Sequence, residues 1–317
     1  MAPGIQLIIQ QPLTHSACSL LAARIFRKIL RNIELSASKK LGGLWKTVKN
    51  FAKFAVVLKI HIMGKHGNRE EGMEIIFEDD WLIVVNKPSG LLCVATNKGG
   101  NKAGEVTAHS LLMDYMAEQQ MQRGRGRAAM NEQGAGRIFI VHRLDRDTSG
   151  LVVFAKDEET KRALQDNWSE VVQERKYVAV LEGHIESEEG WIETWLYEHP
   201  KSLKVHAFEL RQGDTPERPP RKEWQYASTH CQTIGHLTIN EEQYTKVAFE
   251  LETGRKNQIR VHSQWIGHPI AGDKKYGAET NPFGRLALHA QTLSFIHPWT
   301  GQTVRFTSRL PRLFSRR

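Results

Sequence analysis

The chain has 317 residues, of which 40% are hydrophobic, so it can bury a sizeable core in one large or two smaller domains. Its longest apolar runs are too short to cross a bilayer, which argues against a membrane protein. The three cysteines, Cys18, Cys93 and Cys231, are scattered without a C-x-x-C pair. This spacing argues against a disulfide framework and a structural zinc site, and it is typical of a cytoplasmic protein.

The net charge of +9 is concentrated at one end of the chain. Residues 1–72 contain 12 Lys/Arg and 3 Asp/Glu, whereas the remaining 245 residues contain 32 of each. A neutral body of this kind could bind nucleic acid only through local charge asymmetry. We interpret residues 1–62 as a basic extension, either disordered or translated upstream of a later start at Met63 or Met73. Within it, Ser19–Leu35 can form a basic amphipathic helix, which is also typical of transit peptides and membrane-surface helices.

The first part of the body alternates short strands with a helix. Ile75–Phe77 and Leu82–Val85 are apolar runs typical of strands, and N-K-P-S-G at 86–90 indicates a turn. Val106–Gln122 carries apolar residues on one face and predicts a helix. The segment 123–136 has no apolar period and is interpreted as a loop, with arginines that face solvent or contact phosphate.

The second part of the body is predicted to contain a further helix and further strands. Asp157–Glu174 predicts a helix that Asp157 can cap, with acids in the first turn. Lys176–Gly183 predicts a strand closed by glycine. Apolar residues alternate with polar ones from Val247 to Leu251, which predicts a half-buried strand.

The stretch V-H-R-L-D-R-D-T-S-G-L-V-V-F-A-K at 141–156 places charge directly beside the core. Leu151–Ala155 is an unbroken apolar run that predicts a buried strand, and Gly150 indicates a close backbone approach. Five polar or charged residues lie within six positions: His142, Arg143, Asp145, Arg146 and Asp147. Burying them unpaired would be costly, so we expect a loop at the mouth of a cleft, with Asp145 held by arginines. A solvated hairpin with a surface ion cluster is the alternative.

The motifs of this chain resemble those of the RluA-type RNA pseudouridine synthases, in order and spacing. They are E-D-D-x-L-I-V-V-N-K-P-S-G-L-L, H-R-L-D-x-x-T-S-G-L, L-E-T-G-R-K-N-Q-I-R-V-H with G-H-P-I-A-G-D-K-K-Y-G, and R-L-A-L-H-A-Q-T-L. The resemblance covers roughly residues 74–311, and no S4-type RNA-binding module is recognisable before it. One departure is Asn257, where the family usually has histidine, although asparagine still donates and accepts hydrogen bonds.

The resemblance implies an α/β fold of the α+β type. One catalytic domain, 74–311, is expected to contain a long, mostly antiparallel sheet with flanking helices and a cleft across its middle, followed by a basic tail at 312–317. The implied reaction isomerises uridine in RNA to pseudouridine. This reaction consumes nothing, so no cofactor or metal is expected, and the chain has no P-loop or H-E-x-x-H motif.

The resemblance also assigns three catalytic residues. Asp145 matches the essential aspartate, which can act as a nucleophile, as an electrostatic stabiliser or as a base on the sugar. Arg260 is the candidate partner that keeps Asp145 ionised, or alternatively a phosphate contact. Tyr177 matches the family's tyrosine, which would stack on the flipped uracil and assist proton transfer at C5, although a tyrosine in a strand is often ordinary core.

Three further residues are assigned to RNA binding. Arg143 can fill the space left by the flipped base, or it can pair with Asp147. His142 and Arg255 are interpreted as structural or phosphate-contacting. Asp273 lies in a glycine-flanked turn and is interpreted as structural.

The expected partner is structured RNA, with ribosomal RNA favoured weakly over transfer RNA. We expect a cytoplasmic monomer with no membrane contact and no obligatory protein partner. The rival interpretations are a non-catalytic RNA-binding module, a glycosylase that releases free uracil, and a structural ribosome-associated protein.

Overall fold

Eleven β-strands form one sheet in the computed structural model, which describes residues 72–95, 105–122 and 137–315. The strands are β1 Glu74–Glu78, β2 Leu82–Lys87, β3 Phe139–Ile140, β4 Ser149–Ala155, β5 Val172–Glu182, β6 Glu189–Glu198, β7 Val205–Phe208, β8 Gln225–Ile239, β9 Glu242–Leu251, β10 Leu288–Ile296 and β11 Thr303–Thr307. The helix and the loop suggested above for Ser19–Leu35 and 123–136 lie outside the described residues.

The sheet is almost entirely antiparallel. Hydrogen-bonded neighbours follow the order β1-β2-β4-β10-β5-β9-β8-β6-β7, with β3 beside β4 and β11 beside β10. Among the described strands, β4 and β10 are the only parallel pair, and they join the two halves of the sheet. The expected long, mostly antiparallel sheet is therefore confirmed.

Strand β4 forms the core beneath the charged loop. All seven of its residues are buried, as its unbroken apolar run predicts. Gly150, at the second position, has φ +119°, and a Cβ built on it would lie 2.2 Å from the carbonyl oxygen of Ala290 on β10. The close backbone approach expected at Gly150 is thus confirmed, and it falls at the base of the loop that carries Asp145.

Four α-helices pack outside the sheet in the described part of the chain. They are α1 Ala108–Gln122, α2 Glu158–Gln165, α3 Trp168–Val171 and α4 Gln258–Trp265. The Asp157 cap is confirmed, because its carboxylate accepts a hydrogen bond of 2.7 Å from the Thr160 backbone N–H. The prediction of a single helix over 157–174 is wrong, because β5 already begins at Val172. The residues from Val172 on pair with β10, and that sheet pairing overrides local helix propensity.

The described residues all belong to one compact unit. Short 3₁₀ helices occur at Lys274–Tyr276 and Arg312–Ser315. Phe314 in the second of these is fully buried and packs its ring 5.5 Å from that of Phe283. The packed core therefore continues past residue 311, where the basic tail was expected to begin.

Two motif histidines are buried in hydroxyl-lined sites. His262 on α4 lies 3.0 Å from Thr194 Oγ1 and 2.9 Å from Thr229 Oγ1. His289 on β10 lies between Ser149 and Ser308, with both nitrogen–oxygen distances 2.7 Å. Burial lowers the pKa of His262 to about 4 and that of His289 to about 3. Both imidazoles are therefore neutral near pH 7.

These two histidines should make stability depend on pH in the acid range. The unfolded chain protonates them below about pH 6.5, whereas the folded chain does so only near pH 3–4, so the free energy of unfolding should fall as pH drops through this window. At pH 5 each histidine should cost roughly 2 kcal/mol relative to pH 7.5. Urea unfolding at the two pH values measures this loss. It should shrink in His289→Gln and persist in the exposed control His206→Gln; equal slopes in all three proteins would contradict the assignment.

Candidate active site

The charged loop between β3 and β4 is fastened to the turn that follows β2. The Lys87 ammonium donates hydrogen bonds to the carbonyl oxygens of Pro88 (2.9 Å), Leu91 (2.7 Å) and Arg146 (2.9 Å). The Gly90 N–H donates to the same Arg146 carbonyl at 2.9 Å. Lys87 is fully buried, and burial lowers its pKa to about 8. The N-K-P-S-G motif thus fixes the backbone immediately after Asp145.

A cysteine fixes the backbone on the other side of Asp145. The Leu144 N–H lies 3.3 Å from Cys93 Sγ, and the Cys93 thiol lies 3.4 Å from the Leu144 carbonyl oxygen. Burial raises the pKa of Cys93, which keeps it a neutral thiol. With Leu144 and Arg146 both held, the Asp145 side chain projects from a rigid loop into the cleft.

Arg260 connects two carboxylates. Its Nη1 donates to Asp145 Oδ2 at 2.9 Å, while its Nε and Nη2 donate to the two oxygens of Asp273 at 2.7 and 2.8 Å. Side-chain exposure is 28% for Asp145 but 1% for Asp273. Burial alone would lower the pKa of Arg260, but Asp273 and Asp145 together raise it above its ordinary value. The expectation that an arginine holds Asp145 agrees with this geometry, and that arginine is Arg260.

Asp273 lies in a glycine-flanked turn and also contacts Arg260. Its bidentate contact fixes the plane of the Arg260 guanidinium and leaves one edge of that group facing Asp145. The structural role expected for Asp273 agrees with this contact, which holds Arg260 in place. No local signal pairs these two residues, because their contact depends on how α4 and the 3₁₀ turn at Lys274–Tyr276 pack together.

Asn257 supplies a further contact to the carboxylate. With its amide oriented to satisfy both neighbours, Nδ2 donates to Asp145 Oδ2 (2.7 Å) and Oδ1 (3.1 Å), and Oδ1 accepts from the Tyr276 hydroxyl (2.8 Å). Asn257 has φ +55°, a left-handed conformation that asparagine tolerates better than most residues. The departure at this position therefore places a neutral hydrogen-bond donor directly on Asp145.

Tyr177 lies on β5, the middle strand of the sheet path, and faces the same cleft. Burial raises its pKa to about 12, so the phenol is protonated near pH 7. Its hydroxyl has no hydrogen-bond partner among the residues that the structure describes. Asp145, Arg260 and Tyr177 line one cavity of about 150 Å³. The structure thus brings the three expected catalytic residues together.

The three expected RNA-binding residues border the same cavity in different ways. Arg143 is exposed and forms no ion pair with any described residue, so its suggested pairing with Asp147 is absent. Arg255 is exposed and donates from Nε to the Tyr226 carbonyl at 3.0 Å. His142 accepts from the Val153 N–H at 3.1 Å, and burial lowers its pKa to about 3. These contacts favour the structural interpretation of His142.

The cavity is cationic. Four arginines line it (Arg143, Arg175, Arg255 and Arg260) against one carboxylate, Asp145. Over the described ranges, no three His, Cys, Asp or Glu side chains come together as a metal site would require. None of the helices in those ranges has the length and apolar composition needed to cross a bilayer.

The chain is similar to known proteins along most of its length. A family model described as RNA pseudouridylate synthase matches residues 81–265, a range that contains Asp145, Tyr177, Asn257 and Arg260. The ribosomal large subunit pseudouridine synthase D of Zymomonas mobilis is 30% identical over 93% of this chain and 89% of its own length. The dual-specificity RNA pseudouridine synthase RluA of Vibrio vulnificus is 35% identical over 71% of this chain and 78% of its own length.

A solved structure shares the fold. The human RNA pseudouridylate synthase domain containing 4 covers 76% of this chain and 90% of its own, with a TM-score of 0.55 and 24% sequence identity. The sheet and these matches define an RNA-modifying isomerase. The chain belongs to the RNA pseudouridylate synthase family, so its reaction is the conversion of uridine in RNA to pseudouridine.

Proposed function

We propose that this protein isomerises a specific uridine in ribosomal RNA, with Asp145 as the essential residue. The observation that carries the proposal is the setting of the Asp145 carboxylate. It is partly exposed in the cavity, paired with Arg260 and hydrogen-bonded by Asn257. Arg260 and Asn257 hold this carboxylate in one orientation, with part of it open to the cavity. Each of the roles open to Asp145 requires a carboxylate oxygen that can reach the sugar of the target nucleotide.

The neighbouring residues suit the remaining steps of the isomerisation. Arg143 is exposed and has no ion pair among the described residues, so it can enter the stem as the target base leaves it. Tyr177 offers its ring for stacking against the flipped uracil. Because its phenol is protonated, Tyr177 acts first as a hydrogen-bond donor rather than as a base. Arg255, exposed at the edge of the cavity, binds phosphate.

Ribosomal RNA is the favoured substrate, and transfer RNA is the alternative. The Zymomonas relative, which covers 93% of this chain, is named for the large ribosomal subunit, whereas the Vibrio relative is named as dual-specificity. We further infer a monomer that works in the cytoplasm. All the residues assigned to the reaction come from one chain, and the cysteines Cys93 and Cys231 are free thiols.

Tritium release from RNA labelled at uridine C5 tests the proposal. The purified chain should release tritium from large-subunit ribosomal RNA, and a parallel reaction with transfer RNA tests the alternative. Asp145→Asn should bind RNA normally but lose at least about 10³-fold in rate. The matched control is Asp166→Asn, an exposed acid at the end of α2 that should keep its activity. Binding without release by the parent would instead favour the RNA-binding module, and free uracil would favour the glycosylase.

A further inference from the structure

Arg175 is a cleft-facing cation that the assignments above leave without a role. It lies on β5 two residues before Tyr177, so the two side chains share one face of the strand, and both line the cavity beside Asp145. Its Nη2 donates to the carbonyl oxygens of Leu251 (3.1 Å) and Glu252 (2.7 Å). Within the described part of the chain, no carboxylate forms an ion pair with Arg175.

Gly254 provides the space that Arg175 occupies. A Cβ built on Gly254 would lie 2.6 Å from Arg175 Nη1, a distance at which the guanidinium would have to move. Gly254 has no positive φ to explain the glycine. The glycine of the L-E-T-G-R motif thus leaves room for the guanidinium of Arg175, which ties β5 to the loop before α4 through a cationic group.

The surroundings of Arg175 favour a negatively charged ligand. Arg255 lines the same cavity. Burial lowers the pKa of Arg175, Tyr177 opposes this effect, and the charge of Arg255 adds to it. Carbonyl oxygens satisfy the hydrogen-bonding groups of a partly buried guanidinium but do not neutralise its charge. An anion bound between Arg175 and Tyr177 would do so.

We propose that Arg175 contacts the uracil ring of the target nucleotide and neutralises the negative charge on that ring when its bond to C1′ breaks. The inference rests on the proposed function. As the N1–C1′ bond breaks, its electron pair stays on the uracil, and the electron-poor C1′ is captured by Asp145 or loses its C2′ proton to it. The uracil then rotates, and C5 bonds to C1′ as the bond from C1′ to Asp145 breaks or as Asp145 returns the proton to C2′. Finally C5 loses its proton and N1 gains one, both exchanged with water, so the product is an isomer of uridine. Arg175 acts while the base is detached.

The position of Arg175 favours the base over a phosphate as its ligand. Arg143 and Arg255 are exposed, as a contact to the RNA backbone would require, whereas Arg175 is partly buried in the same cavity. Tyr177 lines the cavity together with Arg175 and Asp145. A uracil stacked on Tyr177 would have its sugar towards Asp145 and its ring towards Arg175.

Leaving-group chemistry tests the proposal. Large-subunit ribosomal RNA is transcribed with uridine or with 5-fluorouridine, whose fluorine stabilises the detached anionic base. Single-turnover rates are measured by nuclease digestion and chromatographic quantification of the nucleoside whose base is rejoined through C5. The rearranged 5-fluorouridine keeps its fluorine, because its C5 has no proton to lose, so the comparison covers bond cleavage and re-attachment only. Arg175→Met should slow the reaction of uridine by about 10²-fold while RNA affinity changes by less than about threefold. The defect should shrink to less than about 10-fold with 5-fluorouridine.

Three further variants separate this role from a structural one. Arg175→Lys keeps the charge and should retain more activity than Arg175→Met. Gly254→Ala keeps the arginine but displaces it, so it should show the same dependence on the leaving group. Lys176→Met is the matched control, because Lys176 points to the opposite face of β5 and pairs with Glu174; its rate should be unchanged.

The outcomes distinguish the inference from the function on which it rests. An active parent chain with an unimpaired Arg175→Met would overturn the inference alone. A defect of equal size with uridine and with 5-fluorouridine would also overturn it, because it would indicate that Arg175 only fixes the loop. A defect confined to RNA affinity would overturn it too, because it would indicate a phosphate contact. A parent chain inactive on both RNA classes would overturn the proposed function and this inference with it.

Discussion

Replacing Arg260 by methionine is expected to cost both stability and activity. Asp273 would keep its buried position but lose its bidentate partner, and an uncompensated buried carboxylate costs about 3–5 kcal/mol. Asp145 would lose the cation that holds it, so the isomerisation rate should fall by about 10²–10³-fold. Urea unfolding measures the first effect, and single-turnover tritium release measures the second.

A second substitution separates the two effects of losing Arg260. In the double variant Arg260→Met/Asp273→Asn the buried charge is gone, so much of the stability should return while activity stays low. The matched surface control is Arg162→Met. The Arg162 side chain is 68% exposed in an i,i+4 pair with Glu158, and its removal should cost less than about 0.5 kcal/mol. If the double variant regained activity, Arg260 would act only as a structural partner of Asp273.

The sequence could predict the elements around the site because their signals are local. The apolar run 151–155 predicts β4, the Asp157 cap marks the start of α2, and Gly150 indicates a close approach. The prediction of a helix through Glu174 was wrong because the contacts that decide the structure there are long-range. Its last residues pair with β10 more than 100 positions later, and hydrogen bonds at that separation leave no local pattern.

The parts of the site that sequence reasoning missed all depend on long-range contacts. Lys87 reaches the Arg146 carbonyl across 59 positions, so the N-K-P-S-G stretch was interpreted as a turn only. Asn257 was noted as a departure, but its contact with Asp145 depends on α4 being placed against the charged loop. The motif resemblance indicated which side chains belong to the site, such as Asp145, Tyr177 and Arg260. Only the folded chain indicates which of them touch.

Substituting Gly150 by alanine is expected to be among the most damaging single changes in the core. The new Cβ would lie 2.2 Å from the Ala290 carbonyl oxygen and 2.5 Å from its nitrogen, and φ +119° is strained for any residue other than glycine. Backbone strain and overpacking together should cost about 3 kcal/mol or more. Urea unfolding measures the loss. Gly190→Ala is the matched control, since Gly190 also lies in a strand but has nothing within 4 Å of its Cβ position, and it should be nearly neutral.

The Gly150 substitution should also lower the activity. It therefore tests whether the junction of β4 and β10 holds the active-site residues in place. Strands β4 and β10 are the parallel pair that joins the two halves of the sheet, and Ala290 lines the cavity. Forcing these strands apart would shift Asp145, five positions before Gly150, relative to Tyr177 on β5. A displacement of even 1 Å can cost about 10²-fold in rate. We therefore expect a lower rate even in protein that remains folded, measured by single-turnover tritium release well below the unfolding transition. Full activity in folded Gly150→Ala would mean that the strand junction does not control the site.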